Sequence, residues 1–201
     1  MHKEFGSCGD NAVATLQAGA SANETLGIEG VYHVECRDAQ GNLKWTEEFP
    51  NLVVAAGKQL MLDTLLKGSS YSVTGPFLGL TNATLTPAAT DTMTTLVGGG
   101  KEFTNYTVGG SAVRGTAVFG SSTSTGLSPS NVTTSTASAI TYTITSTGGT
   151  VGGCFLVTGS GASSTLSNTS GVLYSAGSFA VAKVTTAGDT VSVTYSTTAT
   201  S

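Results

Sequence analysis

Alternation of apolar and polar positions begins near Ile28. Tyr32, Val34 and Cys36 take every second place, with His33, Glu35 and Arg37 between them. The turn formers Asp38-Ala39-Gln40-Gly41-Asn42 follow, and Leu43, Trp45, Glu47 and Phe49 then alternate with Lys44, Thr46 and Glu48. Successive strand side chains point to opposite faces, so this block predicts a β-hairpin with one charged face. Pro50, which cannot donate to a ladder, ends its second strand. Gly57 to Lys67 changes period: Leu62, Leu65 and Leu66 recur at helical spacing with Leu60 and Met61 alongside. Gly68 follows as a stop, and Lys67 stands where the helix dipole favours a cation.

Beyond this helix come short apolar runs separated by Gly- and Ser-rich turns. Strands are expected at 77–80, 111–119, 139–145, 155–158, 172–174, 179–184 and 191–195, with Gly188-Asp189 as a tight turn before the last. Residues 1–26 show poor periodicity around Phe5, Val13, Leu16 and Leu26, which predicts an arm and not a core element. The expected fold is mainly β: an antiparallel β-sandwich or jelly roll over 27–201, with one short helix at about 57–67 and an N-terminal arm at 1–26. Abundant Thr suits a pleated, half-buried surface.

Charge alters the picture most. Only 10% of the residues are charged, and the net charge is −4, against about 25% charged in ordinary globular chains. Seventeen of the twenty charged residues lie at or before Glu102, and none occurs between Gly115 and Ala182. A weakly acidic chain lacks the clustered Lys and Arg that hold nucleic acid. The neutral stretch carries Ile140, Tyr142, Ile144, Phe155, Leu156 and Phe179, so it reads as folded β-structure with a hydroxyl-rich outside. Such a surface either packs on another subunit or is simply solvated. Cys8, Cys36 and Cys154, odd in number and widely spaced, do not form a disulfide framework, and idle thiols of a protein made in the reducing cytosol are expected. The first residues lack the apolar stretch of a signal peptide, and no apolar run reaches the ~20 residues that cross a bilayer. Secretion and membrane insertion are therefore not expected.

Catalytic and ligand motifs are weak. His33-Val34-Glu35-Cys36 has the H-x-E of a zinc deaminase but lacks the P-C-x-x-C half, and alternation puts His33 and Cys36 on opposite faces. Gly98-Gly99-Gly100-Lys101 is followed by Glu102, where a phosphate loop needs Ser or Thr. Glu47 and Glu48 are strand neighbours, so they point apart and make no catalytic pair. With two histidines, neither a zinc site nor a Ser-His-acid triad is favoured. No catalytic residue, cofactor or metal is expected. Sequons at Asn23, Asn82, Asn105, Asn131 and Asn168 are chance products of a Ser/Thr-rich chain. Phe5 and Leu16 in the arm, and Trp45 in the hairpin, are the candidate interface residues. Trp45 is either core or, if exposed, an anchor for a partner.

One block reads as a signature: Val31–Arg37, a turn, Leu43–Phe49, then Asn51-Leu52-Val53-Val54 and Gly57-Lys58-Gln59-Leu60-Met61-Leu62-Asp63-Thr64-Leu65-Leu66. It resembles the N-terminal part of a group of tailed-bacteriophage virion proteins, in which a charged hairpin leads into N-L-V-V and a Gly-started helix. Phe77-Leu78-Gly79-Leu80, Thr86–Thr92, Gly153–Val157, Gly171–Phe179 and Gly188–Tyr195 are similar to later segments of that group. The resemblance spans most of 28–197 and leaves out the arm. It implies a non-enzymatic virion protein made in the host cytoplasm. The first expectation is a cement or decoration protein that binds the major capsid protein on the capsid exterior and self-associates as a dimer or trimer, without nucleic acid or membrane. A tail or fibre component, in the extreme case host-recognising, is the alternative. A polysaccharide-degrading tailspike would need paired carboxylates, which 115–182 lacks.

Overall fold

A computed structural model of the chain describes residues 27–67, 74–120, 130–132 and 139–200. The predicted hairpin is β1 (Gly27–Arg37) and β2 (Leu43–Val53). Asp38 builds its turn by accepting hydrogen bonds from the Gln40 and Asn42 amides and the Asn42 side chain. Helix α1 (Ala55–Leu66) follows, then β3 (Thr74–Thr81) and a short α2 (Met93–Leu96). Next come β4 (Glu102–Phe103), β5 (Tyr106–Thr107), β6 (Gly115–Thr116) and β7 (Ser130–Val132). The chain ends with β8 (Ile140–Ile144), β9 (Gly149–Gly159), β10 (Val172–Thr185) and β11 (Thr190–Thr200).

All pairings are antiparallel, in the order β4-β3-β9-β10-β2-β1-β11-β8-β5, with β6 on β3 and β7 on β11. The fold is mainly β, a nearly closed sandwich of two sheets. Strand β2 belongs to both: Leu43–Pro50 pairs with β1, and Asn51–Val53 with β10. Where β2 leaves β10, side chains fill the seam. Trp45 meets Phe179 edge-on at 5.7 Å, and Glu47 pairs with Lys183 at 2.7 Å. The other seam is closed by one short segment, since β4 pairs with β3 and β5, three residues later, with β8. There the Tyr142 hydroxyl donates to the Leu78 carbonyl at 2.7 Å.

Between the sheets lies an aromatic core. Tyr32 packs on Phe49 and Tyr195, and Tyr106 meets Tyr142 edge-on. Val34, Cys36, Leu78, Leu80, Ile144, Val151, Cys154, Val191 and Val193 fill the rest. A second cluster covers the outer side of β9 and β10, where Phe155, Val157, Leu173 and Ala176 pack under Val54, Met93, Leu96 and Val97. Strand β9 is thus buried on both faces over most of its length, which explains why it reads as a continuous apolar run without alternation.

Five expectations are corrected. Pro50 does not end the second strand: β2 runs on to Val53, because Asn51–Val53 change partner from β1 to β10. There are two helices among the described residues, not one. Helix α2 is four residues long and held by Thr92 and Thr95, each of whose hydroxyls accepts from the other's amide. The predicted strand 111–119 is mostly irregular, because only Gly115 and Thr116 pair with β3. The strands expected at 172–174 and 179–184 are one strand, β10, with a register shift between Leu173 and Ser175. Helix α1 starts at Ala55, two residues before the expected Gly57. Its first N–H groups are satisfied by distant carbonyls, Val54 by Tyr174 and Ala55 by Ala89, so no capping side chain announces it. The predicted stop Gly68 and the arm 1–26, with Phe5 and Leu16, lie outside the described residues.

Candidate contact surfaces

Trp45 is half-buried against the core, not a free anchor. Its indole N–H has no hydrogen-bond partner among the described residues. His33 is exposed while Cys36 is fully buried, so the two stand on opposite faces. Glu47 and Glu48 also part, toward Lys183 and His33 respectively. The Gly98–Lys101 turn does not cradle an anion: the amides of Gly98, Gly100 and Lys101 donate to the carbonyls of Met93, Val97 and Leu96. Among the described residues no group of three or more His, Cys, Asp or Glu gathers at one place.

Four ion pairs join Arg or Lys to a carboxylate among the described residues. Arg37 bonds Glu35, Lys44 bonds Asp189, Lys183 bonds Glu47, and Arg114 bonds Glu102. The last pair is buried. Arg114 Nε and Nη2 donate to the two oxygens of Glu102 at 2.7 and 2.9 Å. Its remaining donors reach the carbonyls of Ser163 and Asn168, while the Ser167 amide donates to Glu102. The guanidinium lies 5.3 Å from the centre of the Phe155 ring. This network clamps the 160–170 loop onto the body and carries no exposed charge.

The pairing leaves a broad neutral face. On β11 the side chains of Val191, Val193 and Tyr195 point into the core, so Thr190, Ser192, Thr194 and Ser196 point out. On β8, Ile140, Tyr142 and Ile144 point in, leaving Thr141 and Thr143 exposed. Register places Thr141 opposite Ser192 and Thr143 opposite Thr190, and the Thr141 and Ser192 hydroxyls lie 3.2 Å apart. The result is a ladder of hydroxyls, bordered by His33 and Glu35 on β1, with a cavity of about 220 Å³ lined by His33, Glu35, Ala139, Ser192 and Thr194.

A second surface is apolar. Helix α1 packs through Gly57 and Leu60, and a Cβ at Gly57 would collide with the Tyr174 carbonyl. The leucines that signal the helix in sequence face away: Leu62, Leu65 and Leu66 are 54%, 75% and 79% exposed. Beside them Leu60, Met61, Leu65, Thr158 and Tyr174 line a cavity of about 280 Å³. Thr158 and Tyr174 also line a second cavity, of about 220 Å³, with Pro76, Phe119, Leu156, Tyr195 and Thr197.

Titratable groups serve the fold. Burial pushes the Tyr32 and Tyr142 phenols well above the ordinary tyrosine value, and that of Tyr195 up to about 12. Burial, reinforced by the Asp189 charge, pushes the Cys36 thiol up to about 11, and burial raises that of Cys154 further. Both stay protonated at neutral pH, unlike reactive thiolates. Burial works to raise the Asp189 carboxyl, but the Lys44 ammonium and the Thr186 amide and hydroxyl outweigh it and hold the carboxyl below the usual range.

Sequence reasoning missed the Arg114–Glu102 clamp and the groove. Arg114 did leave a signal, as the last charge before a neutral stretch that ends at Ala182. The groove left none, since its residues come from six separated segments. Compared with known proteins, the chain matches no protein-family model, no curated protein and no solved structure.

Proposed function

We propose that this chain is a structural protein of a tailed-bacteriophage virion, seated on the outside of the assembled capsid and joining neighbouring major capsid subunits. The observation that carries the reading is the hydroxyl ladder of β8 and β11, a face of uncharged Thr and Ser side chains. Such a face donates and accepts hydrogen bonds without the desolvation cost of buried ions. The resemblance of residues 28–197 to phage virion proteins supports the same reading. Among the described residues no helix is long and apolar enough to cross a membrane.

The mechanism is mass action. A protein that binds the assembled shell and not its free subunits stabilises assembly by its own binding free energy. Two or three linked copies reach adjacent capsid subunits, so weak single contacts suffice. The test is to mix the purified chain with assembled shells and with unassembled major capsid protein. Pelleting with shells alone, together with a higher shell rupture temperature, is the expected result. Failure to pellet with shells, while binding isolated tails, replaces this reading with the tail-component one.

A further inference from the structure

We infer that the cavity lined by His33, Glu35, Ala139, Ser192 and Thr194 receives an arginine side chain of the capsid subunit on which the hydroxyl face sits. Only the identity of the partner rests on the virion reading; the cavity is set by the fold. Antiparallel register puts Glu35 opposite Ser192 and His33 opposite Thr194. Four polar side chains of β1 and β11 therefore stand as a block on one outer face, and Ala139, next to β8, adds a methyl to the wall. The space between them is about 220 Å³, smaller than the roughly 300–1,000 Å³ of sites for drug-sized ligands and suited to one long side chain.

Charge selects the occupant. On the outer side of β1 and β2, three carboxylates (Glu29, Glu35 and Glu48) face one unmatched cation, Arg37, an excess of two negative charges with His33 neutral; Lys44 is matched by Asp189. Glu48 lies 3.7 Å from His33, so a second carboxylate stands one strand, about 5 Å, from the cavity. On this face β8 and β11 contribute hydroxyls only. An anionic group would meet the excess charge, and an apolar one would strip water from Glu35 without replacing its hydrogen bonds. A guanidinium offers five donors in a planar fork and is more weakly hydrated than an ammonium. Arg37 donates through Nε to one oxygen of Glu35, and a carboxylate has acceptor capacity for a second guanidinium. Such an anchor does what the hydroxyls cannot. Thr190, Ser192, Thr194 and Ser196 recur every second residue, about 6.8 Å, so a partner that slides by one repeat meets the same groups. One cation held at Glu35 fixes the register.

Two measurements test this. The first compares binding to assembled shells by the wild type, Glu35→Gln and Glu29→Gln, the last of which removes the same charge from the same face outside the cavity. Glu35→Gln should weaken binding about tenfold, and Glu29→Gln, an exposed and screened charge, by about threefold at most, with unchanged circular dichroism for both. No loss in Glu35→Gln, or equal losses in the two variants, overturns the proposal. The second titrates N-acetyl-arginine amide into the isolated protein and follows the His33 ring by NMR. Saturable shifts in the wild type, absent in Glu35→Gln and absent with N-acetyl-aspartate amide, are expected. A response that does not saturate, or that persists in Glu35→Gln, overturns the guanidinium site. A wild type that ignores shells but saturates with the arginine probe refutes the capsid reading and supports the site.

Discussion

Replacing Arg114 by Met should be among the most damaging single changes in the body. The side chain is 1% exposed and Glu102 is 7% exposed. Arg114 gives Glu102 two of its three hydrogen bonds and holds the Ser163 and Asn168 carbonyls as well. Methionine fills a similar volume but leaves a buried carboxylate with the Ser167 amide alone. Removing one partner of a buried ion pair costs about 3–5 kcal/mol. For a chain of this length each kcal/mol shifts Tm by roughly 2–4 °C, so a fall of about 6–20 °C is expected. A total stability of about 5–15 kcal/mol survives such a loss in most of its range. Arg114→Lys, which keeps the charge but not the fork, should fall between. The double change Arg114→Met/Glu102→Met removes both charges and should recover much of the loss, because replacing a whole buried pair by apolar residues is often neutral. Differential scanning calorimetry of the wild type, Arg114→Met, Arg114→Lys, Glu102→Met and the double variant decides. A Tm drop under about 3 °C for Arg114→Met, corresponding to about 1 kcal/mol, would refute the reasoning. So would a double variant whose loss equals the sum of its singles.

Three more outcomes follow from the core. Tyr32, Tyr142 and Tyr195 have phenol pKa values raised by burial, so their stabilising contribution is full below the unfolded value near 10 and is lost as pH rises through the folded values. Alkaline titration should show tyrosinate absorbance rising together with loss of β circular dichroism; ionisation in a still-folded protein would contradict the burial. Asp189 has a depressed pKa, so its contribution is present above the ordinary Asp range and lost as pH falls through the folded value. Asp189→Asn should therefore lower Tm at neutral pH, and the gap to wild type should narrow below about pH 4; a gap independent of pH counts against the Lys44 pairing. Gly57→Ala gains up to about 1 kcal/mol of helix propensity but drives a methyl into the Tyr174 carbonyl, at a cost of about 1–3 kcal/mol. Net destabilisation in urea is expected, and a stabilised variant would show that α1 does not pack through this face.

The hairpin was legible because both its physical signals were local. Alternation from Tyr32 to Phe49 fixes the faces, and Asp38 to Asn42 closes the turn within itself. Strands β8 and β11 were legible for the same reason, each having one buried and one hydroxyl face. Their register across the sheet, which builds the ladder, is a long-range property. Strand β9 loses alternation because the α2 segment covers its second face, and that cover comes from residues some sixty positions earlier. At 111–119 the alternating Val and Ala mimic a strand, but Arg114 points into the Glu102 clamp, which takes the backbone out of the ladder. Helix α1 was found from leucines that the body does not bury, so the reading placed the helix and not its packed face.

A high-resolution image of the intact particle measures together where this protein sits and which face it uses. Regular copies over the outer surface of the head are expected, with Thr141, Thr143, Thr190, Ser192 and Thr194 within hydrogen-bonding distance of major capsid protein. Particles that lack the chain on the head, or copies there with the β8 and β11 face turned to solvent, would contradict this expectation.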